Sequence, residues 1–344
     1  FWLDLGVDGF RLDAAKEYET GSIDSNIEIL SWFNNMVKEK KSDTYIVTEV
    51  WSDLETYAQY YQSGIDSSFD FTFADKDGVI AKAVKGTSGA SSYGKAIVRL
   101  QDALGTYSDS YIDAPFYTNH DMGRGAGYYS GDSMEAQTKL AQAMNLLMSG
   151  SSFLYYGEEL GMKDVPFRSL DDYKDIESLN VIKELEADGL SQEEIRKIMY
   201  LRSRDNARTP MPWDDGYGFS EAKPWIAYSS DNENINVNQA LNDPESVFWY
   251  YKKLIQLRKT HDVIIDGKYE VLNQDDSCVY SYKRQNDDEQ LLVICSFSPE
   301  PVRFTIPDEF FDQEILISNY HRKPCHGTII LKPYEAIVIS KKNS

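Results

Sequence analysis

The sequence is short of cysteine, histidine and positive charge. Three cysteines, Cys278, Cys295 and Cys325, are too few and too scattered for a disulfide scaffold, and they leave the redox compartment open. Lysine and arginine number 35 against 56 aspartates and glutamates, a formal charge of −21. That balance repels a phosphate backbone or an anionic bilayer surface, so neither nucleic acid nor membrane is an expected partner; a neutral substrate is. No run of about 18 apolar residues occurs, which excludes an ordinary membrane-spanning helix. Internal repeats and low-complexity tracts are also missing. Cys325-His326 with His321 lacks a complete metal-ligand spacing. Asp75-Lys76-Asp77-Gly78 lacks the rest of a calcium-loop pattern and reads as a helix-capping turn.

What is present is ordinary globular material. The chain has 344 residues, of which 42% are apolar and 26% charged. At roughly 150 residues per domain this suggests two domains, or one large barrel with an appendage. Residues 9–13, 45–50, 69–73, 114–118 and 153–156 read as short strands, and 25–40, 54–62, 95–104 and 134–148 as helices. This βα alternation implies a parallel sheet covered by helices. Residues 162–247 are less regular and proline-rich, with a capping box Ser191-Gln192-Glu193-Glu194 opening a helix over 191–200. A helix over 248–259 follows. From about residue 264 the pattern becomes short alternating strands (269–272, 278–282, 290–297, 302–306, 314–317, 328–331, 336–339), which reads as an antiparallel β domain. The expected division is therefore 1–263 and 264–344. Residues 1–6 read as the end of a helix already inside a domain, so a longer chain is expected.

Three acids sit where strands end: Asp13, Glu49 and Asp121. In β/α barrels the strand C-termini form the active-site mouth, so acids from three strands converge there. Convergent carboxylates without a thiol or basic partner fit glycoside hydrolysis, in which one acid stays ionised and another stays protonated. Taken singly, each acid is more often a helix cap or a solvated loop residue. Arg11 lies two positions before Asp13, hence on the same strand face, where it holds Asp13 ionised and oriented. The 24 tyrosines and 6 tryptophans supply flat faces for sugar rings, although most aromatics serve as core. Trp51 is the preferred stacking candidate, with Tyr117, Tyr128 and Tyr129 also flanking the strand ends.

These segments resemble a known family. Gly6-Val7-Asp8-Gly9-Phe10-Arg11-Leu12-Asp13-Ala14-Ala15-Lys16-Glu17 is similar to the fourth-strand motif of the α-amylase family, glycoside hydrolase family 13. Thr48-Glu49-Val50-Trp51 resembles its fifth-strand motif, and Phe116-Tyr117-Thr118-Asn119-His120-Asp121 its seventh. Tyr155-Tyr156-Gly157-Glu158-Glu159-Leu160-Gly161-Met162 resembles its eighth-strand segment. The resemblance implies an (β/α)8 TIM barrel, here only its later strands, followed by a C-terminal antiparallel β-sandwich domain. It implies Asp13 as nucleophile, Glu49 as general acid and then base, and Asp121 as transition-state stabiliser. Arg11, His120, Trp51, Arg124 and Lys16 are the candidate substrate contacts. No cofactor is needed for such chemistry, and a structural calcium ion is compatible with the family without assignable residues here. The first three strands of the family pattern are not in the sequence, so an upstream fragment completing the barrel is an expected partner.

The second half, including 168–177 and 203–215, is more similar to oligo-1,6-glucosidases and α-glucosidases, and the first half to α-amylases. Ala14 and Asp121-Met122-Gly123-Arg124 depart from the 1,6-specific pattern, which has valine after the nucleophile and Asp-Gln-Pro-Arg on the seventh strand. The expected function is a retaining hydrolase of mainly α-1,4 bonds in starch-derived glucans, α-amylase type. The alternatives are an exo-acting α-glucosidase or oligo-1,6-glucosidase, and a non-catalytic glucan-binding module with the same fold.

Overall fold

The computed structural model describes residues 1–343 except 217, 219, 229, 230 and 232. Four short strands, β1 (Gly9–Leu12), β2 (Tyr45–Thr48), β3 (Ser67–Asp70) and β4 (Ile112–Pro115), form a parallel sheet in chain order. Helices connect them: α1 (Ile23–Lys40) follows β1, α2 (Leu54–Gln59) follows β2, and α3 (Val79–Val84) and α4 (Ala90–Tyr107) follow β3. After β4 comes α5 (Met134–Leu146). This is the later part of a βα barrel. α1 forms because Leu30 and Val37 recur on one face with Ile27 and Phe33, and that face packs on the sheet. Ser22 caps its first turn by accepting from the Ser25 N–H.

The expected fifth strand over 153–156 is reduced to one parallel bridge, Phe116 to Phe153. The physical reason lies in the next residues. Arg124 takes the Tyr156 carbonyl, and the Tyr155 and Tyr156 hydroxyls donate to carbonyls of residues 207 and 209. The Phe153 N–H reaches the neighbouring strand, donating to the Pro115 carbonyl at 2.8 Å; residues 155 and 156 are held by the chain beyond them.

The described residues of 162–247 carry more regular structure than their composition suggests. They contain α6 (Ile176–Ala187), which the sequence reading did not identify, and α7 (Gln192–Arg202). In the Ser191 capping box both reciprocal bonds form. Val181, Ile182, Ile195 and Met199 build a small separate core with Phe167 and Tyr173. Next come α8 (Val237–Asn242) and α9 (Val247–Thr260).

The last segment carries β5 (Lys268–Val271), β6 (Val279–Gln285), β7 (Glu289–Ser296), β8 (Val302–Thr305), β9 (Glu314–Ser318), β10 (Thr328–Leu331) and β11 (Ala336–Lys342). Five of them form an antiparallel sheet in the order β5-β6-β7-β11-β9, and β8 pairs with β10. β7 is apolar on both faces because both are covered. Leu291, Val293 and Cys295 join the barrel core, while Leu292 and Ile294 pack with Phe310, Leu331 and Ile337 on the other side. Alternation on one strand thus ties the β domain to the barrel.

Candidate active site

Backbone pairing brings the first two acids to neighbouring strand ends. Leu12 pairs with Thr48, and the Glu49 N–H donates to the Leu12 carbonyl at 2.9 Å, so Asp13 and Glu49 are the next residues out on adjacent strands. Immediately after Asp13, Ala14 lies in the left-handed region at φ +43°, a turn unusual for a residue with a Cβ. Arg11 joins the two acids. Its Nη1 donates to Asp13 Oδ1 at 2.8 Å, and its Nη2 pairs with Glu49 Oε2. Glu49 is 8% exposed, whereas the Asp13 side chain is 76% exposed. The two carboxylates thus sit in unlike surroundings, one sheltered and one in water.

The third acid arrives after β4. The Asp121 N–H donates to Asn119 Oδ1 at 2.8 Å, and Asp121 Oδ2 faces His120 Nε2 at 3.1 Å. Its Oδ1 accepts from Arg204 at 3.1 Å and Arg208 at 2.8 Å. Those arginines also hold Asp175, whose carboxyl lies below the usual carboxylate range; burial would raise it, but the Ser178 N–H and the two guanidinium groups outweigh that. Arg11, Glu49 and His120 line one cavity of about 120 Å³ with Phe69, Phe116 and Phe153. Asp13 and Asp121 stand outside that lining, and each contacts a side chain within it, Asp13 through Arg11 and Asp121 through His120. A wider cleft of about 530 Å³ runs along α7 beside Arg196 and Lys197, but strand-end carboxylates do not reach it.

Residues 1–267 match the α-amylase catalytic domain, and residues 279–338 match the C-terminal domain of the α-amylase SusG. The chain belongs to the α-amylase family, glycoside hydrolase family 13. An oligo-1,6-glucosidase of Parageobacillus thermoglucosidasius is 35% identical over 98% of this chain and 66% of its own length. A trehalose-6-phosphate hydrolase of Bacillus subtilis is 31% identical over 98% of this chain and 65% of its own. The solved structure of Eubacterium rectale Amy13B has a TM-score of 0.79 at 33% identity, covering all of this chain and 62% of that one. The chain therefore spans about two thirds of the length of the curated relatives it matches.

Within this family frame, several expected contacts find other places. Arg124 was expected to touch substrate; it is 1% exposed. Its donors go to the carbonyls of Tyr156, Asn206, Ala207 and Thr209, and its guanidinium lies over the Tyr155 and Tyr156 rings. It anchors loops and has no free donor edge for a sugar. Tyr117 and Tyr129 are also buried, hydroxyl to hydroxyl at 2.5 Å, and the Tyr128 hydroxyl donates to Asp75. Lys16 lies off the cavity, with its ammonium 3.7 Å from Glu17. Trp51 is 44% exposed and stacks on Phe71, centroids 4.8 Å apart and planes at 17°. Its free face remains open to solvent.

The sequence reading missed Arg204 and Arg208. The only signal was the 203–215 segment itself, which resembles glucosidase sequences; that both arginines reach Asp121 is visible only in the fold. Among the described residues no cluster of three or more His, Cys, Asp or Glu side chains is placed to hold a metal ion. No helix of the described residues is long and apolar enough to cross a membrane.

Proposed function

We propose that this chain carries the reaction centre of a retaining, exo-acting α-glucosidase that releases glucosyl units from short α-glucan oligosaccharides. The observation that carries the reading is Arg11 bridging Asp13 and Glu49 at adjacent strand ends. In this reading Asp13 attacks the anomeric carbon while Glu49 gives its proton to the leaving oxygen. Glu49 then takes a proton from water, whose oxygen displaces Asp13. Two inversions retain configuration. Arg11 keeps Asp13 ionised and aimed. Asp121, held by Arg204 and Arg208, accepts hydrogen bonds from sugar hydroxyls.

The exo reading replaces the α-amylase type expected from the sequence. It draws support from relatives named oligo-1,6-glucosidase and α-glucosidase. The bond preferred, α-1,6 or α-1,4, belongs to the test, since Ala14 and Met122 depart from the 1,6-specific pattern.

The experiment compares the wild type with Asp13→Asn and Glu49→Gln on isomaltose, maltose and starch. Expected is glucose released first as the α-anomer, seen by NMR, with isomaltose or maltose cleaved faster than starch. Each variant should lose about 10³-fold or more in kcat. Random internal cleavage of starch would restore the α-amylase reading. A wild type that binds these sugars and cleaves none would make the chain a binding module.

A further inference from the structure

The segment bearing His120 and Asp121 leaves the sheet early. β4 ends at Pro115 and Phe116 makes one bridge, so Thr118 to Asp121 lie beyond the described ladder. Thr118, at the start of that segment, is held by a buried carboxylate from the turn after Gly157, while Arg204 and Arg208 hold its far end. Glu158 Oε1 accepts from the Thr118 N–H at 2.9 Å and from the Thr118 hydroxyl. Its Oε2 accepts from the Tyr251 hydroxyl of α9 at 3.0 Å. One carboxylate therefore joins the strand-end segment, its own turn and a helix.

We propose that Glu158 is a positioning residue, which fixes His120 and Asp121 by accepting the two Thr118 hydrogen bonds while Tyr251 holds its second oxygen. This rests on the reading that Asp121 serves the reaction centre.

Three features support the assignment. Glu158 is 5% exposed and forms no ion pair with lysine or arginine among the described residues, an expensive way to pin a turn if stability alone were served. Burial pushes its carboxyl up to about 7, against the pull of the Thr118 and Tyr251 bonds. Tyr117 and Tyr251 are its titratable neighbours, Glu159 follows it in the chain, and the Arg124 guanidinium lies against Gly157. Second, the turn that presents it has no slack. Gly157 is at φ +88°, and a Cβ there would lie 2.3 Å from Met162 Sδ and 2.7 Å from Arg124 Nη1. Third, Thr118 lines the same cavity as Glu49 and His120, so a displacement at Thr118 is felt at the site.

The test uses Glu158→Ala, Glu158→Gln and Tyr251→Phe in the full chain. A glutamine keeps an acceptor for both Thr118 donors and turns its amide N–H to the Tyr251 oxygen. Glu158→Ala should lower kcat about 10- to 100-fold, because a small misplacement of reacting groups is costly. KM should stay within about threefold, since bound-state contacts are otherwise kept. Glu158→Gln should recover most of kcat, and Tyr251→Phe should show a smaller loss. A second readout needs no activity: the ring resonance of His120 should move in Glu158→Ala and Tyr251→Phe while those of His261, His321 and His326 stay. An inert wild type defeats the proposed function, and the His120 resonance then decides Glu158 alone. Unchanged kcat with only a lower melting temperature overturns the assignment. So does an unmoved His120 resonance, or Glu158→Gln as impaired as alanine. If the alanine variant does not fold, Tyr251→Phe without effect on either readout overturns it.

Discussion

Arg11 stands at a strand end with Asp13 and Glu49 on its two amino groups, whereas Arg124 points inward to four backbone carbonyls. The contrast separates two predictions. Arg124→Ala strands buried acceptors, so it should lower folding stability by about 3 kcal/mol, read from the urea midpoint. Arg11→Ala removes an exposed pair with Asp13 and one with the sheltered Glu49, so stability should fall by about 1 to 2 kcal/mol, less than for Arg124→Ala. Its kcat/KM should nonetheless fall about 100-fold, because the carboxylates lose their aim. A drop in stability for Arg11→Ala matching that of Arg124→Ala would contradict this division. From the sequence both arginines looked alike, each near a strand-end acid. Arg124 binds carbonyls 32, 82, 83 and 85 residues away, so no local pattern could reveal its burial.

At the scale of elements, hydrophobic spacing was a good guide wherever one face packs and the other is wet. α1, α5, α9 and the β-domain strands lie near their expected ranges for that reason. α6 escaped notice because its apolar residues serve a small satellite core rather than the sheet. The 153–156 strand is cut short for the opposite reason: its residues are apolar enough for a strand, but after Phe153 the Tyr156 carbonyl and the two tyrosine hydroxyls bond to Arg124 and to residues 207 and 209. The capping box at Ser191 was legible because capping is local. Ser191→Ala should cost about 1 kcal/mol. The measurement is the thermal midpoint of the variant, and an unchanged midpoint would mean that α7 is held by packing alone.

For the molecule as a whole, buried carboxyls set the pH dependence of stability. Burial raises Glu158 to about 7 and Asp70 and Asp164 to about 6, and burial, with Asp70 beside it, raises Asp113 well above its ordinary value. The folded state therefore keeps protons that the unfolded chain has released. Unfolding gives off protons, and stability falls as pH rises from about 4 through 7. The net charge of −21 adds self-repulsion in the same direction. The urea midpoint should be higher at pH 5 than at pH 8. Glu158→Gln should flatten that slope, since its share over the interval is roughly 3 kcal/mol. A midpoint that climbs between pH 5 and 8 would show these carboxyls to be ionised at no cost in the fold.

By itself the sequence determined the βα order, the antiparallel β domain, and the presence of Asp13 and Glu49 at strand ends with Asp121 in the segment after β4. Periodicity and motif order are local properties, and a strand end is fixed by its neighbours in the chain. The tertiary structure decided which side chains share the cavity, that Arg124 and Tyr117 belong to the interior, and that Arg204, Arg208 and Glu158 reach the Asp121 segment. Those partners come from distant loops and helices, and their contacts exist only once long-range packing has fixed both burial and direction.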